Sequence, residues 1–311
     1  MKNTMTVDKH SKTLLIIGAN GFLGSNILQL RKIKEVRDLD YQFIAADIEN
    51  SNVPIDVAFY HLNITNLQDT LKKIEVISPD VVLLTAAMTD VDQNEVDKDL
   101  ATTINTVGPK NVLEACKKPD SKMIFMSTDF IFDGISKEGN YNERDIPNPL
   151  SFYAKTKYNA EQAIINSEIE HIICRTAVLY GWNKEKQNFI TWIINKLQQN
   201  ELIQIVTDQF NSPTFVKNLA EILIKLIEKD AKGIYHTAGD CTLNRYEMAL
   251  KCAEVFNLKK ELISPIESIE QKAIRPKNVG LNISKLKKLI GSDLKIYNLD
   301  DGLNYMKNHR L

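Results

Sequence analysis

The stretch TLLIIGANGFLG, residues 13–24, decides the fold. Leu14, Leu15, Ile16 and Ile17 form a short apolar run that stops at glycine, the pattern of a strand buried on both faces. The residues after the turn, FLGSNILQLRK (22–32), place Leu23, Ile27 and Leu30 at helical spacing. Strand, glycine-rich turn and helix in that order are the context a dinucleotide site requires. Gly18 permits the tight turn, Gly21 lets the backbone approach a pyrophosphate, and Gly24 lets the helix pack on the strand. The helix amino terminus then faces the negative charge. Gly18, Asn20, Gly21, Phe22, Leu23 and Gly24 are therefore candidate cofactor-binding residues. The plain alternative is a sharp strand-to-helix turn with no ligand.

The alternation continues outward. QFIAAD (42–47) is a second strand ending in a carboxylate, Asp47, 23 residues after Gly24. A carboxylate there can accept both hydrogen bonds of an adenosine ribose diol and repels a 2′-phosphate, which favours NADH over NADPH. A helix over about 66–77, a strand at 80–87, a helix over 95–117 and a strand at 122–127 follow. Next come a helix over 151–167 and a strand at 171–177. Apolar strands separated by amphipathic helices predict an α/β fold, a Rossmann-like doubly wound parallel sheet covered on both faces. Beyond 178 the pattern loosens, with helices expected near 186–198, 215–229 and 244–256 and strands near 203–206 and 233–236.

Composition is that of ordinary globular protein. The 311 residues are 43% hydrophobic and 25% charged, and 39 basic against 40 acidic residues leave a formal charge of −1. That balance offers no electrostatic case for nucleic acid or an anionic membrane. The four cysteines are widely spaced, and neither a C-x-x-C nor an H-E-x-x-H is present, so no metal site is expected. The polar start MKNTMTVDKHSK reads as a flexible amino terminus (1–12). The apolar run after it is too short for a signal-peptide core, and a cytoplasmic protein is expected.

The stretch SFYAKTKYNAE begins at Ser151 and pairs Tyr153 with Lys157 at i, i+4, one above the other on a helix face. With ten tyrosines and 39 basic residues, about one such pairing arises by chance. Spacing alone therefore cannot separate a catalytic pair from a solvated surface.

The rest of the chain separates them. GxxGxxG with a downstream Tyr-x-x-x-Lys resembles the short-chain dehydrogenase/reductase superfamily, and the length suggests its extended branch, which acts on nucleotide sugars. SPDVVLLTAAMTDVDQNE (78–95), INTVGPKNVLEAC (104–116), MSTDFIFDG (126–134), YNERDIPNPLSFYAKTK (141–157), RTAVLYG (175–181), DQFNSPTFVKNLAE (208–221), GIYHTAG (233–239) and RPKNVGLNISKLKKL (275–289) look, in that order, like the dTDP-4-dehydrorhamnose reductase family. The resemblance runs over nearly the whole chain after residue 12. It implies reduction of the C4 ketone of a nucleotide-activated deoxysugar by NADH or NADPH, as in dTDP-4-dehydro-L-rhamnose to dTDP-L-rhamnose.

Site residues carry over with it. Tyr153 and Lys157 match the catalytic pair, and the same lysine holds the nicotinamide ribose in the family. Thr128 matches the hydroxyl that bonds the sugar carbonyl, and Asn105 the helix asparagine that supports the lysine through a water. Asn63 and Ile64 stand beside the adenine, Ala86, Ala87 and Met88 border the cofactor, and Asp129 and Val178 face the sugar. Arg275, with a planar guanidinium suited to two hydrogen bonds with phosphate, is expected near the substrate diphosphate. Tyr158, with Gln162 four residues on, is the bystander. An ammonium one turn away is expected to lower the Tyr153 pKa from the ordinary value near ~10.

Departures from the family are few. RTAV stands where the family usually has RTSW, so Val178 leaves a smaller pocket wall. RTAVLYG is nearer to the regulatory beta subunit of methionine adenosyltransferase, which keeps open a cofactor-binding regulatory subunit without turnover. Asn211 replaces a usual glycine. Asp129 is followed by Phe130, not the Glu of the 4,6-dehydratases, and Cys174 and His171 match nothing in the epimerising GDP-fucose synthases. The expected organisation is a dinucleotide-binding domain from 13–177 plus about 214–238, and a smaller interwoven substrate lobe from about 178–213 plus 239–311. A nucleotide-sugar substrate is expected, and a homodimer is compatible with the sequence.

Overall fold

The computed structural model describes residues 11–310 except 52, 136–138, 184–185 and 269–270. Residues 1–10 of the expected flexible terminus lie outside the described residues. Seven parallel strands form the central sheet: β1 (Lys12–Ile17), β2 (Tyr41–Asp47), β3 (Ala58–His61), β4 (Val81–Leu84), β5 (Lys122–Thr128), β6 (His171–Thr176) and a last strand at Gly233–His236. Their order across the sheet is Gly233–His236, β6, β5, β4, β1, β2, β3. The chain thus winds outward from β1 in one direction, returns to β4, and winds outward in the other. A Rossmann-like doubly wound sheet results.

Both faces are covered, as a parallel sheet requires. One side buries Leu14, Ile16, Ile124 and Cys174 against the helices Phe22–Leu30, Val216–Glu228 and Ser284–Ile290. The other buries Leu15, Ile17, Phe125 and Ile173 against Leu67–Ile77, Gly108–Cys116 and Phe152–Ile165. A third apolar cluster is built only from later sequence, including Tyr180, Ile193, Ile205, Phe215, Met248, Ile263 and Leu303. The segment containing Val279, Leu281, Ile283, Leu286 and Ile290 packs back on the sheet and not in that cluster.

Two features differ from the reading of the sequence. β3 is short and half exposed, and its AFYH carries no strong alternation. The helix expected over 95–117 is four pieces: Val91–Val96, Lys98–Thr102, a π-helical turn at Thr103–Val107, and Gly108–Cys116. Asp97 starts the second piece by accepting from the Leu100 amide, so a side chain interrupts the run.

Gly18 and Gly24 fix how the first helix meets β1. Gly18 has φ +88°, where a side chain is strained, and a Cβ there would stand 2.5 Å from the Ala86 nitrogen. A Cβ on Gly24 would stand 2.2 Å from the Gly18 carbonyl oxygen and 2.8 Å from the Ala19 Cα, both backbone. Gly24→Ala must therefore push the helix off the strand, and a loss of about 1–3 kcal/mol is expected in urea unfolding.

Candidate active site

A cleft of about 1170 Å³ opens at the carboxyl ends of the strands. That volume is above the usual range for one small ligand and leaves room for two side by side. Its lining begins with Gly18, Asn20, Gly21, Phe22 and Leu23 from the first turn, and Asp47, Asn63, Ile64, Ala86, Ala87 and Met88 from neighbouring strand ends. It continues through Thr128, Asp129, Tyr153, Lys157 and Val178. Gly24 lies behind this surface, under the turn.

The first half has the features of a dinucleotide cradle. Gly21 is the helix N-cap in extended conformation, and a Cβ there would meet only the Gly18 carbonyl, at 3.1 Å. The Asp47 carboxylate accepts from the Asn20 amide at 2.9 Å and the Ile48 amide at 2.7 Å, which ties the strand end to the glycine turn. Thr85 was not singled out in the sequence. Its hydroxyl lies 3.0 Å from both the Ile17 and Gly18 carbonyls and pins the turn from the next strand. Asn63 closes a local turn by accepting from the Thr65 amide and hydroxyl. Buried hydroxyls of Ser127 and Thr176 also line the cleft and, among the described residues, have no hydrogen-bond partner. Unsatisfied buried polar atoms of this kind fit a polar ligand lying across the strand ends.

The second half is built by β5 and the Phe152–Ile165 helix. Ser151 caps that helix by accepting from the Ala154 amide, which starts it so that Tyr153 and Lys157 share the face turned to the cleft. Thr128 ends β5 and donates to Asp129 at 3.0 Å. Asn105 is fully buried in the π-helical turn, a local irregularity often found at functional sites. Its oxygen accepts from the Met88 amide at 2.9 Å, and its amide reaches the Met88 carbonyl, Asn94 and Thr156 at 3.0, 3.0 and 3.3 Å. Asn105 thus clamps the helix of Tyr153 and Lys157 to the end of β4.

Burial, more than mutual proximity, sets the charges. Burial pushes the Tyr153 phenol up to about 12, the Asp129 carboxylate adds to the rise, and the Thr128 hydroxyl opposes it. Burial pulls Lys157 down to about 7, against the pull of Glu161 one turn on. The Lys157 ammonium lies over the Phe125 ring, 4.1 Å from its centroid. Burial and the Asp129 charge set the tyrosine's shift, and the expected lowering by the lysine is not found. Asp129 is held at about 6, raised by burial and restrained by Asn211, which donates at 2.8 Å, and by Thr128.

Beneath the pair, Glu161 and Arg175 form a buried two-pronged ion pair at 3.1 and 2.9 Å. Val178 is the strained point of the wall: a β-branched residue at φ +42°. Cys174 is buried, which pushes its thiol up, and His171 binds its own backbone neighbour, the Ile169 carbonyl, at 2.9 Å. Arg275 does not line the cleft. Its guanidinium grips Asp92 at 3.0 and 2.7 Å and the Ala273 carbonyl at 3.0 Å. A different cation, Arg245, stands in the lining, and its sequence context carried no signal for it.

A doubly wound sheet with a glycine turn at its switch point and a buried Tyr-x-x-x-Lys beside a strand-end threonine defines an extended short-chain dehydrogenase/reductase fold. Within that class, the chain belongs to the family described as RmlD substrate binding domain, which matches residues 12–304. It is 29% identical over 291 residues to the dTDP-4-dehydrorhamnose reductase of Aggregatibacter actinomycetemcomitans, covering 89% of this chain and 93% of the relative. It is 30% identical over 283 residues to methionine adenosyltransferase 2 subunit beta of Xenopus tropicalis, covering 88% and 81%. The solved structure of dTDP-4-dehydrorhamnose reductase from Bacillus anthracis in complex with NADP superposes with a TM-score of 0.84 at 29% identity, covering 96% of this chain and 99% of that one. The UDP-glucose 4-epimerase of Thermus thermophilus, with a TM-score of 0.79 at 18% identity and 96% and 98% coverage, shares the fold alone. Among the described residues, no helix is long and apolar enough to cross a membrane and no cluster suited to a metal ion is present.

The buried lysine is a stability cost. Its pKa is lower folded than unfolded, so between about pH 7 and pH 10.5 the unfolded chain binds more protons and stability rises with pH. Lys157→Met is expected to stabilise the protein by on the order of a few kcal/mol at pH 7, with the gain shrinking toward zero by about pH 10.5. Denaturant unfolding across that pH range measures it.

Proposed function

We propose that the chain reduces the C4 ketone of a nucleotide-activated deoxysugar, dTDP-4-dehydro-L-rhamnose being the substrate assigned, with NADH or NADPH as reductant. The observation that carries this reading is the meeting of Tyr153, Lys157 and Thr128 in one cleft beside the glycine turn. A reduced nicotinamide, when bound, supplies hydride. The chain's own task is then to hold the ketone and deliver a proton to its oxygen. Tyr153, with its phenol pushed up to about 12, is protonated across neutral pH and is the acid the reduction needs. Thr128 positions the carbonyl oxygen, with its own orientation set by Asp129. Lys157 near 7 is part ammonium at neutrality, and the Asn105 clamp holds its helix in place. Ser127 and Thr176 offer further hydroxyls to the ligands.

The reading predicts a sharp contrast between two tyrosines. Tyr153→Phe keeps the ring but removes the proton, so turnover of a 4-keto-6-deoxy sugar nucleotide should fall by roughly 10²–10⁴-fold with cofactor affinity little changed. Tyr158→Phe should leave the rate nearly intact. Both are read by following cofactor oxidation, and a Tyr153→Phe protein as fast as the parent would sink the mechanism.

Asp47 is proposed to accept the adenosine ribose diol, so NADH should bind at least as well as NADPH. Asp47→Ala should narrow that difference in a fluorescence titration, and much tighter NADPH binding by the parent protein would overturn the preference. A second reading, a cofactor-binding regulatory subunit without turnover, draws on the likeness to the methionine adenosyltransferase beta subunit and on Val178 in the pocket wall. Cofactor binding with no reduction of any 4-keto sugar nucleotide would favour it.

A further inference from the structure

A nucleotide sugar brings a diphosphate into the substrate half of the cleft, and its charge needs a cation there. The lysines and arginines lining the cleft among the described residues are Lys157, Lys186 and Arg245. Lys157 belongs to the catalytic pair, and Lys186 is exposed at the rim. Arg275, the residue favoured by its sequence context, has two of its nitrogens engaged by Asp92 and the Ala273 carbonyl. Arg245 alone is half-buried within the cleft, and among the described residues its guanidinium makes no hydrogen bond or ion pair.

Arg245 is also held in place. It is the first residue of the Arg245–Val255 helix, whose start is secured by a reciprocal cap between Asn244 and Glu247. Its amide donates to the Gln209 carbonyl, and its guanidinium lies over the Phe189 ring, 4.8 Å from the centroid. Asp129 attracts it, but among the described residues no hydrogen bond or ion pair joins the two, and the Asp129 oxygens accept from Thr128 and Asn211. Burial pulls Arg245 down to about 10, against the attraction of Asp129, so the cation is desolvated and only partly compensated. A guanidinium with a planar fork of free donors, fixed by an aromatic ring and short of negative charge, is suited to a diphosphate.

We propose that Arg245, and not Arg275, holds the diphosphate of the nucleotide-sugar substrate. The proposal rests on the nucleotide-sugar reading above. With that assignment the cleft carries two separate anion sites: the glycine turn and helix amino terminus for the cofactor, and one guanidinium for the substrate.

The test is calorimetric titration of thymidine diphosphate and uridine diphosphate into protein already saturated with NADPH, so that the cofactor site cannot take the probe. Arg245→Met should weaken the nucleoside diphosphate that binds by about 10–100-fold, the loss expected for a charged hydrogen-bonded contact. Arg245→Lys should recover part of it. Binding of the unphosphorylated nucleoside and of NADPH should not change, which separates a lost phosphate contact from a damaged fold. Arg245→Met with parental diphosphate affinity would overturn the assignment, most directly if Arg275→Met lost it instead. If the parent protein, loaded with NADPH, binds neither diphosphate, the nucleotide-sugar reading itself falls and takes this proposal with it.

Discussion

The reversal of strand order between β1 and β4 is the constraint on which the molecule depends. Right-handed crossovers carry the chain away from β1 on one side and away from β4 on the other, so no helix covers the strand ends between them. The glycine turn after β1 and the Thr85–Met88 segment after β4 face each other across that gap. Thr85 bridges it by bonding the carbonyls of Ile17 and Gly18, and Gly18 has no side chain to obstruct the approach. The other parts of the site reach this crevice from their own strand or helix ends: Thr128 closes β5, and Tyr153 and Lys157 open the helix that follows it.

Placing ionisable groups in that crevice is expensive, and the surrounding structure shows how the cost is contained. Lys157 is desolvated by its surroundings, and the charge that supports it is Glu161, which is itself buried. Arg175 on β6 grips Glu161 with two hydrogen bonds. Breaking such a buried pair typically costs ~3–5 kcal/mol, so the helix and β6 are locked together beneath the site. Asp129, Asn211 and Thr128 make a second network in the cleft, and Arg245 stands at its edge without closing it. The helix of Tyr153 and Lys157 is held from below by Arg175 and from the side by Asn105. This over-determination suits a site whose own groups are destabilising.

How much was legible in the sequence differs from element to element. TLLIIG, KMIFMS and HIICRTA read as strands because a strand buried on both faces must be apolar throughout. AFYH did not, because β3 lies at the sheet edge and is half exposed. The long helix before Cys116 read as continuous because its apolar spacing survives the breaks, while the Asp97 cap and the π-helical turn depend on hydrogen bonds that spacing does not encode. Thr85 and Arg245 carried no signal, since the groups they meet lie tens of positions away.

The sequence by itself determined the α/β alternation, the glycine turn and the Tyr153–Lys157 spacing. These follow from local sterics and from the periods of helix and strand, which act over a few residues. Only the tertiary structure decided the charge states and the choice of arginine. Tyr153 is raised and Lys157 lowered because β5 and its neighbours exclude water from both. Arg275 is occupied because Asp92, 183 residues earlier, packs against it, whereas no carboxylate among the described residues closes on Arg245. Desolvation and pairing are properties of what the folded chain brings together, and residues distant in sequence set them.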